Sequence, residues 1–125
     1  MIDKVVLAEK LARVAAPWQP HVVGQVNDTM VKVVKLAGEF VWHHHEHEDE
    51  LFLVVAGRLL MKLRDPAERD LWLEPGELVI IPRGVEHCPV AADGAECHVV
   101  LVEPATTLNT GNVRSERTVE QLERI

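Results

Sequence analysis

At 125 residues the chain fits one domain, long enough to bury a core without disulfide or metal staples. A hydrophobic fraction of 47% excludes a disordered polymer, and a formal charge of −7 without a basic stripe excludes unassisted binding to nucleic acid. Every apolar run is broken by charge within a few residues, so no membrane span is expected.

The opening MIDKVVLAEKLARVAAP scatters Asp3, Lys4, Glu9, Lys10 and Arg13 through its apolar positions. It lacks the uninterrupted core of a secretion signal, and two cysteines, Cys88 and Cys97, make a poor disulfide framework. A cytoplasmic location is the resulting expectation. Leu7 to Val14 predicts a short helix closed by Pro17.

After Pro20 the texture changes to β. HVVGQVN and MVKVVKLAG are rich in valine with an apolar–polar rhythm, and ELFLVVAGRLLMKLRD supplies two runs separated by Gly57. DPAERD predicts a turn, LWLEPG a short strand ending in Pro-Gly, and GELVII, HCPV and ECHVVLVEP further strands. Ser115 in SERTVEQLERI predicts a capping-box start to a short C-terminal helix. Many short strands with frequent turns and no βα alternation predict an all-β sandwich or barrel.

The stretch HHHEHEDE, His43 to Glu50, places four histidines, three glutamates and an aspartate in eight residues. A histidine-rich run by itself more often marks a solvated loop than a site. Its position between two apolar segments changes that balance. His43 and His45 are two apart, so in extended backbone they face the same way, whereas His44 faces the other way. Glu50 opens the next strand and can fold back beside them. Two imidazoles and a carboxylate then fill three metal positions. His87, after the turn at Pro82 and Gly84, is the best candidate for a fourth, although alone it reads as a surface turn histidine. A His45–His47 pair is a competing choice. Glu46, Glu48 and Asp49 read as a solvated acidic loop.

Gly38, His43, His45, Glu50 and Gly57 together resemble the first cupin motif, with one residue fewer than usual after the first glycine. Gly76, Pro82, Gly84 and His87 resemble the second, and eighteen residues separate the two motifs. The resemblance implies a double-stranded β-helix (jelly-roll) barrel over roughly residues 20–104 of a single domain spanning 1–125, with short N- and C-terminal helices. It also implies a homodimer and an internal metal held by His43, His45, Glu50 and His87. Where the second motif usually ends in asparagine this chain has Ala91, which leaves the ligand set intact and puts a pocket-lining or turn role in doubt.

Such a mixed N/O set accepts one divalent transition metal (iron, manganese, nickel, cobalt, copper or zinc) and leaves positions for water, dioxygen or ligand. The chain has no tyrosine, which weakens the likeness to sugar-nucleotide epimerase cupins; the presence of Glu50 weakens that to thiol dioxygenases. The leading expectation is a metal-dependent enzyme acting on an oxygen-rich small molecule by isomerisation, lyase chemistry or oxygenation. The alternative is a non-catalytic barrel that binds a small-molecule ligand. His98 is the candidate catalytic acid–base group: a symmetric hairpin about Asp93-Gly94 would turn it into the barrel beside His87. A half-buried histidine bonded to backbone is the competing reading of it. The same register would put Cys88 and Cys97 together on the outer face, as diagonal neighbours. Glu39, at the parity of His43, is a second acid–base candidate. The strand PHVVGQVN and the terminal helix, with the outward cysteines and Trp42 and Trp72, would supply an apolar dimer surface.

Overall fold

The computed structural model describes residues 2–125. A short helix, α1 (Leu7–Ala12), precedes eight strands: β1 (His21–Val26), β2 (Thr29–Leu36), β3 (Glu50–Ala56), β4 (Leu59–Arg64), β5 (Glu68–Leu73), β6 (Leu78–Ile81), β7 (Glu86–Ala91) and β8 (Cys97–Pro104). They form two antiparallel sheets, a five-stranded one in the order β1-β2-β8-β3-β6 and a three-stranded one in the order β5-β4-β7. This is an all-β jelly-roll barrel: the strand rhythm predicts a sandwich or barrel, and the cupin resemblance implies the jelly roll.

Strand alternation explains the core. Val34 and Leu36 of β2, Phe52 and Val54 of β3, and Leu59 and Met61 of β4 share one buried cluster between the sheets. The opposite parity of the large sheet, including Val33 and Val100, packs outward against Leu11 and Val14 of the α1 region. Gly57, which closes the first motif, sits at φ +79° with the Glu96 carbonyl against it, so a side chain there is barred twice over.

Two expectations fail for identifiable reasons. The turn at Asp93-Gly94 does form, with φ values of 59° and 68° and a 3.2 Å bond from Ala95 N–H to the Ala92 carbonyl. Its strands do not pair with each other, because β7 goes to β4 while β8 goes to β2 and β3. A hairpin-like turn thus becomes a corner between sheets, and the register drawn through it does not exist. The C-terminal helix is also absent. The Asn109 amide takes the Arg117 carbonyl at 2.8 Å and the Val119 N–H at 2.9 Å, removing groups a helix would need. The chain end runs beside β1, with Val22 N–H on the Glu123 carbonyl and Ile125 N–H on the Val22 carbonyl.

Candidate metal centre

Residues 37–49 form no regular strand and are tied to β7 instead. His43 and His87 exchange two backbone bonds, N–H to carbonyl at 3.0 and 2.9 Å, which sets them opposite each other with side chains on the same face. Gly84 N–H holds the His45 carbonyl at 2.8 Å, so the Pro82–Gly84 turn positions the other histidine. Glu50 opens β3 opposite Ile81 of β6.

The outcome is that His43, His45, Glu50 and His87 are all buried, and one donor atom from each lies within 4.8 Å of the others. Ligands held at about 2.0–2.2 Å from an ion sit about 3–4 Å from one another, so the spread suits a single ion. The chain thus carries a His/Glu cluster able to bind a metal ion.

The protonation pattern points the same way. His43 Nδ1 and His87 Nδ1 lie 2.9 Å from the carbonyls of Val41 and Val85, which can only accept, so each Nδ1 carries the proton. In a neutral ring Nε2 then offers a lone pair. His87 Nε2 nevertheless sits 3.1 Å from Glu50 Oε1, and His45 Nε2 lies 3.2 Å from the same oxygen without a hydrogen-bond partner. Burial, with the nearby His87, pulls the His43 pKa down to about 3, which keeps that ring neutral and available as a donor. Burial works to raise Glu50, but its contacts with His45, His87 and Glu103 outweigh it and hold the carboxyl well below the usual range.

Behind Glu50 lies a pair the sequence reading missed. Lys32 Nζ bonds Glu103 Oε1 at 2.8 Å, with both side chains almost wholly buried. Leu51 pairs with Val102, which places Glu103 beside Glu50 across β3 and β8. Glu103 Oε2 has no donor of its own, and burial together with the Glu50 charge pushes its carboxyl well above the usual range. The available signal was parity: Lys32 shares the inward face of Val34 and Leu36, and Glu103 that of Val99 and Leu101. A charge on the apolar side of each of two paired strands predicts a buried ion pair.

The other candidates lie elsewhere. His98 points away from the barrel interior, corrected by the pairing of β8: it borders a surface hollow with Ala8, Leu11 and Lys35, and its Nε2 meets Glu96 at 3.1 Å. Glu39 is exposed and bonds Lys62 at 2.8 Å on the outer face. Cys97 faces the core while Cys88 lies on the other sheet, so the two do not meet and both are free thiols. His44 is outside the cluster, its N–H bonded to Asn112 Oδ1. His47 is exposed beside Glu46. Ala91, in the asparagine position, packs in the core.

Beside His43 and Glu50 opens a chamber walled by Trp18, Leu36, Phe40, Phe52, Pro89 and Leu101. Its enclosed volume is about 30 Å³. Trp18 and Phe40 stack with centroids 4.6 Å apart, and Phe40 meets His43 edge-on at 5.4 Å.

Barrel, buried donor cluster and adjoining chamber together define a small jelly-roll protein with a metal-binding type of site. Comparison with known proteins makes the class specific. The Cupin_2 family model, described as "Cupin domain", matches residues 29–103, and the chain belongs to that family. It is 39% identical to a cupin-2 domain protein of Shewanella frigidimarina, with a TM-score of 0.74 over 80% of this chain and 93% of that one. A Neisseria meningitidis protein is 26% identical, with a TM-score of 0.72 over 82% and 100% of the two chains. The Bacillus subtilis protein YdbB is 37% identical over 65 residues, and the match spans 52% of this chain and 56% of YdbB. Among the described residues, no helix is long and apolar enough to cross a membrane.

Proposed function

We propose that His43, His45, Glu50 and His87 hold one divalent transition metal, and that the protein is a metal-dependent enzyme acting on a small molecule drawn to that metal from the adjoining chamber. The observation that carries this reading is the convergence of three buried imidazoles and one buried carboxylate, with one donor atom from each within 4.8 Å of the others. Such an ion, when bound, would polarise an oxygen of the ligand or activate water or dioxygen. The chain's own residues orient the ring donors through the Val41 and Val85 carbonyls and exclude water with Phe40 and Phe52. Isomerase, lyase and dioxygenase chemistry all fit this arrangement.

Elemental analysis of the purified protein tests the assignment. About one equivalent of metal per chain is expected, falling close to zero in His87→Ala and Glu50→Ala. Unchanged stoichiometry in both variants would sink it.

A non-catalytic ligand-binding barrel is the second reading, favoured by one observation. Both acid–base candidates, His98 and Glu39, lie outside the chamber, leaving only the cluster and its Lys32–Glu103 neighbours for proton transfer. A ligand recovered unchanged after prolonged incubation with metal-loaded protein would favour binding over turnover.

The partner we propose for the outer face of the large sheet is a second copy of the chain. Leu78 and Ile80 are more than half exposed and pair with Leu53 and Leu51, extending as an apolar edge beyond Leu53, which packs against the Leu11 and Val14 cluster. Sedimentation should show a dimer at micromolar concentration that Ile80→Asp dissociates; a wild-type monomer would remove this proposal.

A further inference from the structure

The chamber beside the cluster is closed in this conformation. An enclosed volume of about 30 Å³ holds about one water molecule, whereas sites for small ligands run to about 300–1,000 Å³. A ligand of several heavy atoms therefore reaches His43 and Glu50 only if the wall moves. Much of that wall is fixed, because Val34, Leu36, Phe52 and Leu101 are locked in the ladders of β2, β3 and β8. Trp18 and Phe40 lie outside every strand.

Trp18 is also a partition. Alone among the described residues it lines both the chamber and a surface hollow of about 330 Å³, shared with Gln19, Glu116 and Arg117. Its main chain is fixed by the 2.8 Å bond from its N–H to the Lys35 carbonyl, so moving the indole aside needs only side-chain rotation. That rotation breaks the 2.9 Å bond from Nε1 to the Ala37 carbonyl and the stack on Phe40.

Arg117 holds the indole where it is. Its guanidinium lies 5.1 Å from the Trp18 ring centroid and 5.9 Å from that of Phe40, and donates to the Glu39 carbonyl. Its main chain is pinned in turn, the carbonyl accepting from Asn109 Nδ2 at 2.8 Å. A planar cation over two stacked rings is a favourable contact that opening would forfeit.

Resting on the metal reading above, we propose that Trp18 is a gate between the surface hollow and the metal cluster, and that Arg117 latches it shut. With the indole swung out, the hollow and chamber join into a passage to His43 and Glu50; its return seals the cluster from bulk water. A hollow of about 190 Å³ lined by Glu46, His47 and Glu48 meets the cluster at His45 and is the competing route, but it shares no side chain with the chamber.

Two measurements on Arg117→Ala test the gate. Cobalt(II)-loaded protein is mixed with excess dipicolinate, and loss of the visible cobalt bands gives the rate of metal release. A gate scales entry and exit alike, so release should quicken at least about tenfold while equilibrium cobalt affinity stays within about twofold of wild type. An unchanged rate would overturn the proposal and direct traffic past His45. Affinity falling in step with the faster release would overturn it too, marking Arg117 as a support of the cluster.

The second measurement needs no metal. With Trp42→Phe and Trp72→Phe in place, Trp18 is the one remaining tryptophan of the three. Acrylamide quenching of its fluorescence in folded apoprotein should rise at least about threefold in Arg117→Ala, and equal quenching would overturn the latch. Arg117→Lys keeps the charge without the flat stacking surface, so its quenching should also exceed wild type; a lysine variant quenched no more than wild type would overturn the role of the stack. Protein that takes up no cobalt would overturn the metal reading instead, and quenching would then decide the gate alone.

Discussion

The two ends of the barrel interior carry opposite chemistry on the same strands. Inward positions run Lys32, Val34, Leu36 on β2, Glu50, Phe52, Val54 on β3, and Glu103, Leu101, Val99 on β8. One end is therefore a layer of ionisable groups beside three buried histidines, and the other is aliphatic. Apolar burial stabilises by about 25 cal/mol per Å². Burying charges costs desolvation that their pairing only partly offsets. Stability and chemistry thus reside at different ends, and substitutions at each should leave different signatures.

The largest stability effect is expected at the charged end. Lys32→Met removes one partner of a buried pair and leaves Glu103 without its cation, a loss of about 3–5 kcal/mol in denaturant unfolding. The double variant Lys32→Met/Glu103→Leu should recover most of that loss. If the single substitution were neutral, the buried layer would not be the costly end. Leu59→Ala, fully buried at the aliphatic end, should cost about 2–5 kcal/mol while leaving metal content at the wild-type level. Metal lost together with stability in Leu59→Ala would break the division between the two ends.

A smaller effect separates the cysteines from the site. Burial pushes the Cys97 thiol from its ordinary 9.0 up to about 11, and burial with the Glu39 charge does the same for Cys88. A raised folded-state value means that the native chain keeps protons the unfolded chain gives up. These thiols therefore favour the fold fully below pH 9, and their contribution is lost as pH rises from 9 toward 11. Folded protein at pH 8 should react slowly with a thiol reagent and rapidly once unfolded. Fast labelling of the native state would show that neither thiol is sealed.

Much of this organisation was legible in the sequence because it depends on local periodicity. Alternating valines mark β2 and β8, and the two-residue offset of His43 and His45 holds even though residues 37–49 form no regular strand. What keeps that parity is the reciprocal backbone pairing of His43 with His87, a contact between segments far apart in the chain. His98 was misplaced because its orientation depended on which strand β8 joins, and a two-residue turn does not settle that. The Asp93-Gly94 turn has the geometry of a hairpin, yet the sheets claim its two arms separately. The missing C-terminal helix has a related cause: Asn109, eight to ten residues upstream, and Val22, about a hundred residues away, supply partners outside the helical repeat. The chamber was illegible for a related reason. Trp18, Phe40 and Asn109 come from segments without periodicity and meet only when the barrel closes.

The smallest expected effect concerns His44, flanked on both sides by cluster residues. Its ring has no place among the four donors, and its backbone contributes instead: the N–H bonds Asn112 Oδ1 at 2.8 Å and the carbonyl accepts from Asn112 N–H at 3.1 Å. Gly111, at φ +55°, packs against that same carbonyl, so the 111–112 turn supports the segment through main chain alone. His44→Ala preserves every one of these contacts. Its metal affinity should stay within about twofold of wild type, against the 10- to 100-fold losses typical when a partner that orients a ligand is removed. Gly111→Ala is the complementary probe, because a methyl group would press on the His44 carbonyl and the His43 ring without altering any donor. If Gly111→Ala weakens metal binding and His44→Ala does not, the backbone rather than the ring of residue 44 supports the cluster. The reverse order would mean that the parity argument selected the wrong histidines.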